Sequence, residues 1–427
     1  MNSRSLESWR YTMWSTKISF FTFLCIAPAL LFGQQVLTID QVLEEVSRNN
    51  PSIRALDSRI KSADAKVEGA GAWMAPMVGA GTFMTPYPGA ELMNDSEKGA
   101  WMLSAEQAIP NPAKIRAKKK YLASQSAINV AEQKMRVDLL RAKARELYYG
   151  VVVLYKKLGY QSENKMIMQT MKKLAEIRYP YNQGALGQIF KAEGRLHETE
   201  NMLLMTEGEI QSNKMALNAL MNRSPHADFA IDTTLEVKFK PLTLLDTAYL
   251  SAKRSDVMQM DRSILAMEYN INQMRQEAKP DFSIRFEHMS PRSQMMPNQF
   301  SMMGMVSIPI APWSSGMYKS EVKAMSFEQE AMKKEREAML TEMLGMTKGM
   351  ENSLVNMQKQ LQNYEEKILP ALRKNLKVSM LSYQENKGDL NMVIDGWEAV
   401  NMAQMTYVEQ LQLFYKMIVD YEKNIEI

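Results

Sequence analysis

The chain has 427 residues, with 52 basic against 48 acidic side chains and a formal net charge of +4. This balance offers no electrostatic footing for nucleic acid or for a strongly acidic substrate. Against 38 methionines stand only 3 histidines and 1 cysteine. His197, His226 and His288 are isolated, and no HExxH pair or glycine-rich phosphate loop occurs, so neither an enzyme nor a resident cofactor is expected.

The first element, residues 1–33, reads as an export signal. Basic Arg4, Arg10 and Lys17 precede an apolar run from Ile18 to Phe32, and small Gly33 stands before Gln34-Gln35. Met13 would also make a compact start. Cys25 lies inside the apolar run and would leave with it, giving an exported chain with no thiol ligand or disulfide and a net charge lowered from +4 to +2. No later stretch is long and apolar enough for a membrane helix, so any crossing must use strands.

The remainder reads as two repeats, 34–240 and 241–427. Each opens with an amphipathic helical region: "LTIDQVLEEVSRNNPSIRALDSRI", interrupted at Pro51, and "LTLLDTAYLSAKRSDVMQMDRSIL". Thr38 or Asp40 is a suitable cap for the first and Thr243 for the second. Next come stretches rich in Gly, Pro and aromatic residues that predict two strand hairpins, 77–109 and 281–310, with roughly ten-residue strands of the length a tilted strand needs to cross a bilayer. Trp73, Tyr87, Trp101 and Trp313 near the strand ends suit either an interfacial aromatic belt or ordinary packing.

Each hairpin leads through a proline turn (Pro110, Pro112; Pro309, Pro312) into a long run without proline, Ala113 to Arg178 and Met317 to Leu369. Such runs predict helices far longer than the globular norm. "RAKKKY", residues 116–121, is expected to be a solvated basic face. Both runs end at a Tyr–Gly turn, around Gly184 and Gly388, before a returning helix. Duplication at this scale differs from a short solenoid repeat.

Two sets of methionines need an explanation. Met325, Met332, Met339 and Met346 are seven apart, as are Met343, Met350 and Met357, which is coiled-coil seam spacing and points first to packing. Met295, Met296, Met302, Met303 and Met305 surround the second hairpin, where packing demands less, and thioethers select soft ions such as Cu(I). Met303 and Met305 would share a strand face, with Met302 opposite. His288 could assist Met289, or simply sit at a sheet rim.

Four strands cannot close a membrane barrel alone, and an open sheet leaves backbone groups unpaired in lipid, so strands must be pooled between chains. In order and duplication, "LTIDQVLEEVSRNNPSI", "VSIPIAPWSSGMYKSEVKA", "ILPALRKNLKVSMLSYQENKG" and "NMAQMTYVEQLQLFYKMIVDYEKN" resemble the TolC-type outer-membrane efflux proteins. That resemblance implies a mainly α fold with a small β part: a homotrimer with a twelve-stranded barrel in the outer membrane and a coiled-coil tunnel in the periplasm. It also implies a passive conduit that works with a periplasmic adaptor and an inner-membrane pump of the RND type. Tyr181, Gly184, Gly187, Tyr383, Gly388, Asp389 and Asp395 would then lie at the periplasmic aperture and adaptor-docking tip. An apparent insertion in "YQENKGDLNMVIDG" leaves open whether Asp389, Asp395 or Glu398 faces the aperture. The methionines point to the branch that exports copper, silver or other heavy-metal cations. The alternatives are a multidrug duct and a soluble periplasmic methionine-rich coiled-coil protein that binds metal or acts as an adaptor.

Overall fold

The computed structural model describes residues 36–181 and 186–426. The expected export segment and Gly184 lie outside the described residues. A two-residue strand β1 (Val36–Leu37) leads into α1 (Ile39–Asn49) and α2 (Pro51–Gly69). Thr38 caps α1 in a reciprocal box: its hydroxyl accepts from the Gln41 N–H, and the Gln41 side chain accepts from the Thr38 N–H at 3.0 Å. Asn50 then caps α2, with Pro51 in the first turn, where its missing N–H costs nothing.

Strands β2 (Met77–Phe83) and β3 (Ala100–Ile109) form the first hairpin. Asn111 caps the next helix by accepting from the Ala113 N–H at 3.0 Å, and its amide donates to the Pro280 carbonyl at 2.9 Å. That helix, α3 (Pro112–Arg178), runs 67 residues, on the order of 100 Å at 1.5 Å per residue. It returns as α4 (Leu186–Leu220) to the short strand β4 (Ala230–Ile231), which pairs parallel with β1.

The second set of elements begins with α5 (Thr247–Lys253) and α6 (Ser255–Gln276). Asp246, not Thr243, caps α5: its carboxylate accepts from the Tyr249 N–H at 2.7 Å, and a carboxylate next to the first turn also favours the helix dipole. Strands β5 (Phe282–Pro291) and β6 (Gln299–Val306) form the second hairpin. The two hairpins join through β3 and β5 into one antiparallel sheet of order β2-β3-β5-β6. No described helix is long and apolar enough to cross a membrane.

Helix α7 (Ser315–Asn363) passes through a π turn, Tyr364–Ile368, into α8 (Leu369–Gln384), and α9 (Leu390–Ile425) returns along them. A proline ordinarily ends a helix, and the proline-free run of the sequence closes at Leu369, before Pro370. Instead the helix continues, because the π turn rearranges the ladder just ahead of the ring: the Leu369 N–H bonds the Tyr364 carbonyl, five residues back.

The π turn also keeps the buried seam in phase. Leu340, Thr347, Leu354 and Leu361 are buried at seven-residue steps, and the seam resumes at Leu369, Leu376 and Tyr383. The single eight-residue step, Leu361 to Leu369, spans the π turn, whose extra residue absorbs the offset. Opposite, α9 buries Leu390, Trp397, Gln404, Leu411, Ile418 and Ile425 at the same period.

This seam corrects the placement of the helix methionines. The innermost row is Leu340 to Leu361, while Met343, Met350 and Met357 pack half-buried three residues further along, at the second seam position. The other row flanks the seam, with Met339 half-buried and Met346 exposed. Met343, Met350 and Met357, with Met339 beside them, therefore serve packing, for which an unbranched thioether suits irregular space.

Candidate channel wall and helical tip

Register determines what each face of the sheet presents, since cross-strand partners share a face. One face carries Phe282, Ile284, Phe286, Phe300, Met302 and Val306, joined across β3 and β2 by Leu103, Ala105 and Val78. It is mainly apolar, with Thr82, Gln107, His288 and Ser290 as its polar members, and largely exposed; Phe286 and Phe300 stack with centroids 6.0 Å apart. The opposite face is ordered in rows: Gly81–Met102–Met289–Gln299, then Gly79–Ser104–Glu287–Ser301, then Met77–Glu106–Arg285–Met303. Arg285 donates through Nε to Glu106 at 2.9 Å, tying β5 to β3 on this polar face.

The five methionines expected to form one cluster are therefore divided. Met303 and Met305 lie on the polar face, Met302 on the apolar face, and Met295 and Met296 in the β5–β6 loop. His288 and Met289 project to opposite faces, so His288 cannot assist its neighbour there. The register adds Met77, Met102 and Met289 to Met303 and Met305 on the polar face. Their period-two positions were visible in the sequence, but the pairing of Met102 with Met289 was not.

The loops at the far end of the sheet are tied together. Ser293 donates to Asp95 at 2.8 Å, the Arg292 N–H bonds the Gly99 carbonyl at 2.9 Å, and the Arg292 guanidinium lies 4.4 Å above the Trp101 ring. Gly99 has φ of 73°, and a Cβ there would meet the Phe83 carbonyl at 2.7 Å, so only glycine fits. Trp101 and Tyr87 stand at this end, Trp73 and Trp313 beyond the helix end, and all four are exposed.

At the opposite extreme, the end of α3 and the start of α4 meet the turn between α8 and α9. Gln188 donates to Asp389 at 2.6 Å, Lys191 to Asn391 at 3.3 Å, and Arg195 to Glu398 at 2.5 Å, joining the start of α4 to the start of α9. Arg178 bonds Asn386, and its guanidinium lies 4.2 Å above the Tyr383 ring. Tyr383 is buried, so of the expected aperture residues it belongs to the core beneath the tip, with Leu376, Leu390, Val393 and Trp397. Tyr181 and Gly187 are exposed, and Gly388 turns against Ser382.

The acids at the tip differ in partners. Hydrogen bonds from Asn391 and Gln188 hold the Asp389 carboxyl below its usual range despite some desolvation. Glu398 is paired with Arg195, whereas Asp395 is exposed with no hydrogen-bond or ion-pair partner among the described residues. Arg178, Gln188, Asn386 and Asn391 carry these contacts; a single sequence gave no signal for them, because each partner lies about half the chain away.

Solved structures with this architecture are numerous. The outer-membrane channel OprN aligns with a TM-score of 0.73 at 15% identity, over 91% of this chain and 89% of its own. CusC, whose structures describe transmembrane channel formation, aligns with a TM-score of 0.73 at 14% identity, covering 91% of each chain. The outer membrane protein VceC from Vibrio cholerae gives 0.69 at 15% identity, over 91% of this chain and 95% of its own. The chain has the fold of outer-membrane channels. The sheet and the helical tip both belong to that channel fold, whose shared extent takes in nearly all of the described residues. No family model matches the sequence, and no curated protein does.

Proposed function

We propose that the protein is the outer-membrane duct of a tripartite efflux system, a passive homotrimeric conduit from periplasm to exterior. The observation that carries this reading is the four-stranded sheet: apolar on one face, polar on the other, and open at both edges, β2 and β6. In lipid such edges must be paired, and three copies supply twelve strands. The likeness to solved outer-membrane channels supports the same reading. The halves are an internal duplication, each contributing one hairpin and a long pair of helices. The tip around Tyr181, Gly184, Gly187, Gly388, Asp389 and Asp395 is the periplasmic aperture, where an adaptor tied to an inner-membrane RND-type pump docks, and Asp395 is the acid free to face the passage.

The cargo we infer is a soft cation, copper or silver. Five thioethers on the polar face, Met77, Met102, Met289, Met303 and Met305, line the barrel in this reading. Their contacts must be weak and serial, as tight coordination would hold the ion. The test is deletion of the gene in its host, with growth thresholds and cell-associated metal measured under copper, silver, zinc and cobalt beside drugs and bile salts. The expected result is selective copper and silver sensitivity, rescued by wild type and by Met302→Leu but incompletely by the five-fold Met→Leu variant. Sensitivity to drugs alone overturns the cation cargo and keeps the duct. Release of the protein by osmotic shock, without detergent, overturns the duct.

A further inference from the structure

Where the sheet meets the helices, a cavity of about 410 Å³ opens between α3 and α6. Its upper wall is Ile109 and Phe282, cross-strand partners at the helix end of the apolar face. They belong to β3 and β5, the central strands, so strand pairing of a neighbouring chain at the edges β2 and β6 does not cover them. Met74 extends the apolar lining.

The lower wall is polar and arranged by helical spacing. Lys114 and Lys118 lie four apart on α3, and Gln273 lies four before Glu277, the C-cap of α6, so each pair shares a face toward the cavity. Lys114 is neutralised by Asp281 at 2.7 Å and Glu277 at 3.0 Å. Lys118 is exposed and has no ion-pair or hydrogen-bond partner among the described residues. The side-chain oxygen Oε1 of Gln273 is buried and accepts no hydrogen bond. An unused cation and an unused buried acceptor thus stand in the wall of one cavity, beneath an apolar face. Arg116, Lys119 and Lys120 extend the free positive charge outside it.

We propose that this cavity holds an anionic glycerophospholipid of the leaflet on the helix side, with a phosphatidylglycerol-type headgroup. The phosphate pairs with Lys118, a headgroup hydroxyl donates to Gln273 Oε1 once the side chain turns that closed-off oxygen into the cavity, and an acyl chain follows Met74, Ile109 and Phe282 onto the apolar face. The site rests on the reading that this face lies in a bilayer.

The experiment uses the full chain purified in detergent and inserted into liposomes, followed by native mass spectrometry with phosphatidylglycerol, phosphatidylmethanol and phosphatidylcholine of matched acyl chains. Phosphatidylglycerol should be retained over phosphatidylcholine, and Lys118→Gln should lower that preference about tenfold, the effect of losing one charge-assisted contact. Gln273→Leu should erase the preference for phosphatidylglycerol over phosphatidylmethanol, which lacks the headgroup hydroxyls, and leave the preference for both over phosphatidylcholine. Equal retention of all three lipids by a protein that floats with liposomes overturns the site alone. Competition by soluble glycerol phosphate as strong as by the lipid overturns the acyl contact. A protein that fails to float overturns the bilayer reading and this site with it.

Discussion

Among single residues, the methionines of α7 separate by what their sulfur touches. Met343, Met350 and Met357 occupy equivalent seam positions, yet the Asn424 amide donates to the Met350 sulfur at 3.4 Å. Leucine conserves the volume at all three, which alone costs under about 1.5 kcal/mol. At Met350 it also leaves an amide on a nearly buried asparagine without its partner, adding about 1–3 kcal/mol. Met350→Leu should therefore lower the melting temperature clearly more than Met343→Leu or Met357→Leu, read by circular dichroism, and none of the three should change copper tolerance. Asp389 gives a pH dependence at the tip. Its folded pKa is depressed, so its contribution is fully present above the unfolded value near 3.9 and is lost as pH falls through the lower folded value. Glu193 and Glu200, held low by Lys172 and Lys165, act in the same direction. In a variant keeping Trp397 as its only tryptophan, acrylamide quenching should be flat from pH 7 to about 5 and rise below about 4. Asp389→Asn should give higher quenching at neutral pH and a smaller rise in acid.

At the scale of elements, the cap at Thr38, the strand hairpins and the long helices were legible because they depend on near neighbours: Thr38 with Gln41, glycine and aromatic residues around each hairpin. The hairpins expected at 77–109 and 281–310 enclose the observed strands β2 with β3 and β5 with β6. What stayed hidden depends on distant partners. Pairing of β3 with β5 decides that Met102 faces Met289, and the meeting of α4 with α9 decides that Asp389 is held while Asp395 is not. The π turn before α8 escaped notice for a different reason: Pro370 is a valid stop signal for an α-helix, and the rearranged ladder ahead of it lets the chain continue. The π turn makes its own prediction. In a Pro370→Ala background, where no ring clashes with the carbonyl four residues back, deleting Glu366 removes the extra residue, so Leu361 to Leu369 becomes a seven-step and the seam stays in phase as a plain α-helix. Deleting Glu366 and Lys367 together turns Leu369, Leu376 and Tyr383 about 100° off the seam. In that background the single deletion should fold with a melting temperature close to that of Pro370→Ala alone, whereas with Pro370 retained it should melt lower. The double deletion should be degraded or melt far lower, and equal damage from both would show that the π turn does not set the phase.

For the whole molecule, the decisive property is that the sheet is unfinished. Among the described residues, strand β2 pairs only with β3 and β6 only with β5, so each chain offers two rows of backbone donors and acceptors, one at either edge. Water satisfies such rows at modest cost; hydrocarbon does not, and each unpaired group there costs several kcal/mol. The apolar face beside them, Phe282 through Val306, argues that the surroundings are hydrocarbon. Closure by further copies meets both demands, and twelve strands from three chains lie within the range of known membrane barrels, whereas four do not. The wild type should therefore run as a three-chain species in detergent by light scattering, and on gels should convert to monomer only on heating. A proline placed in β6 removes one backbone donor, and successive residues direct their donors to alternate sides of the strand. Within residues 301–305, prolines whose lost donor faces outward should abolish the three-chain species while leaving the long helices folded. Prolines whose lost donor faces β5 should loosen the hairpin within each chain, read as faster hydrogen exchange in β5. A trimer that survives every outward-facing proline would mean that the edges are not where the copies meet, and the barrel would then have to be abandoned.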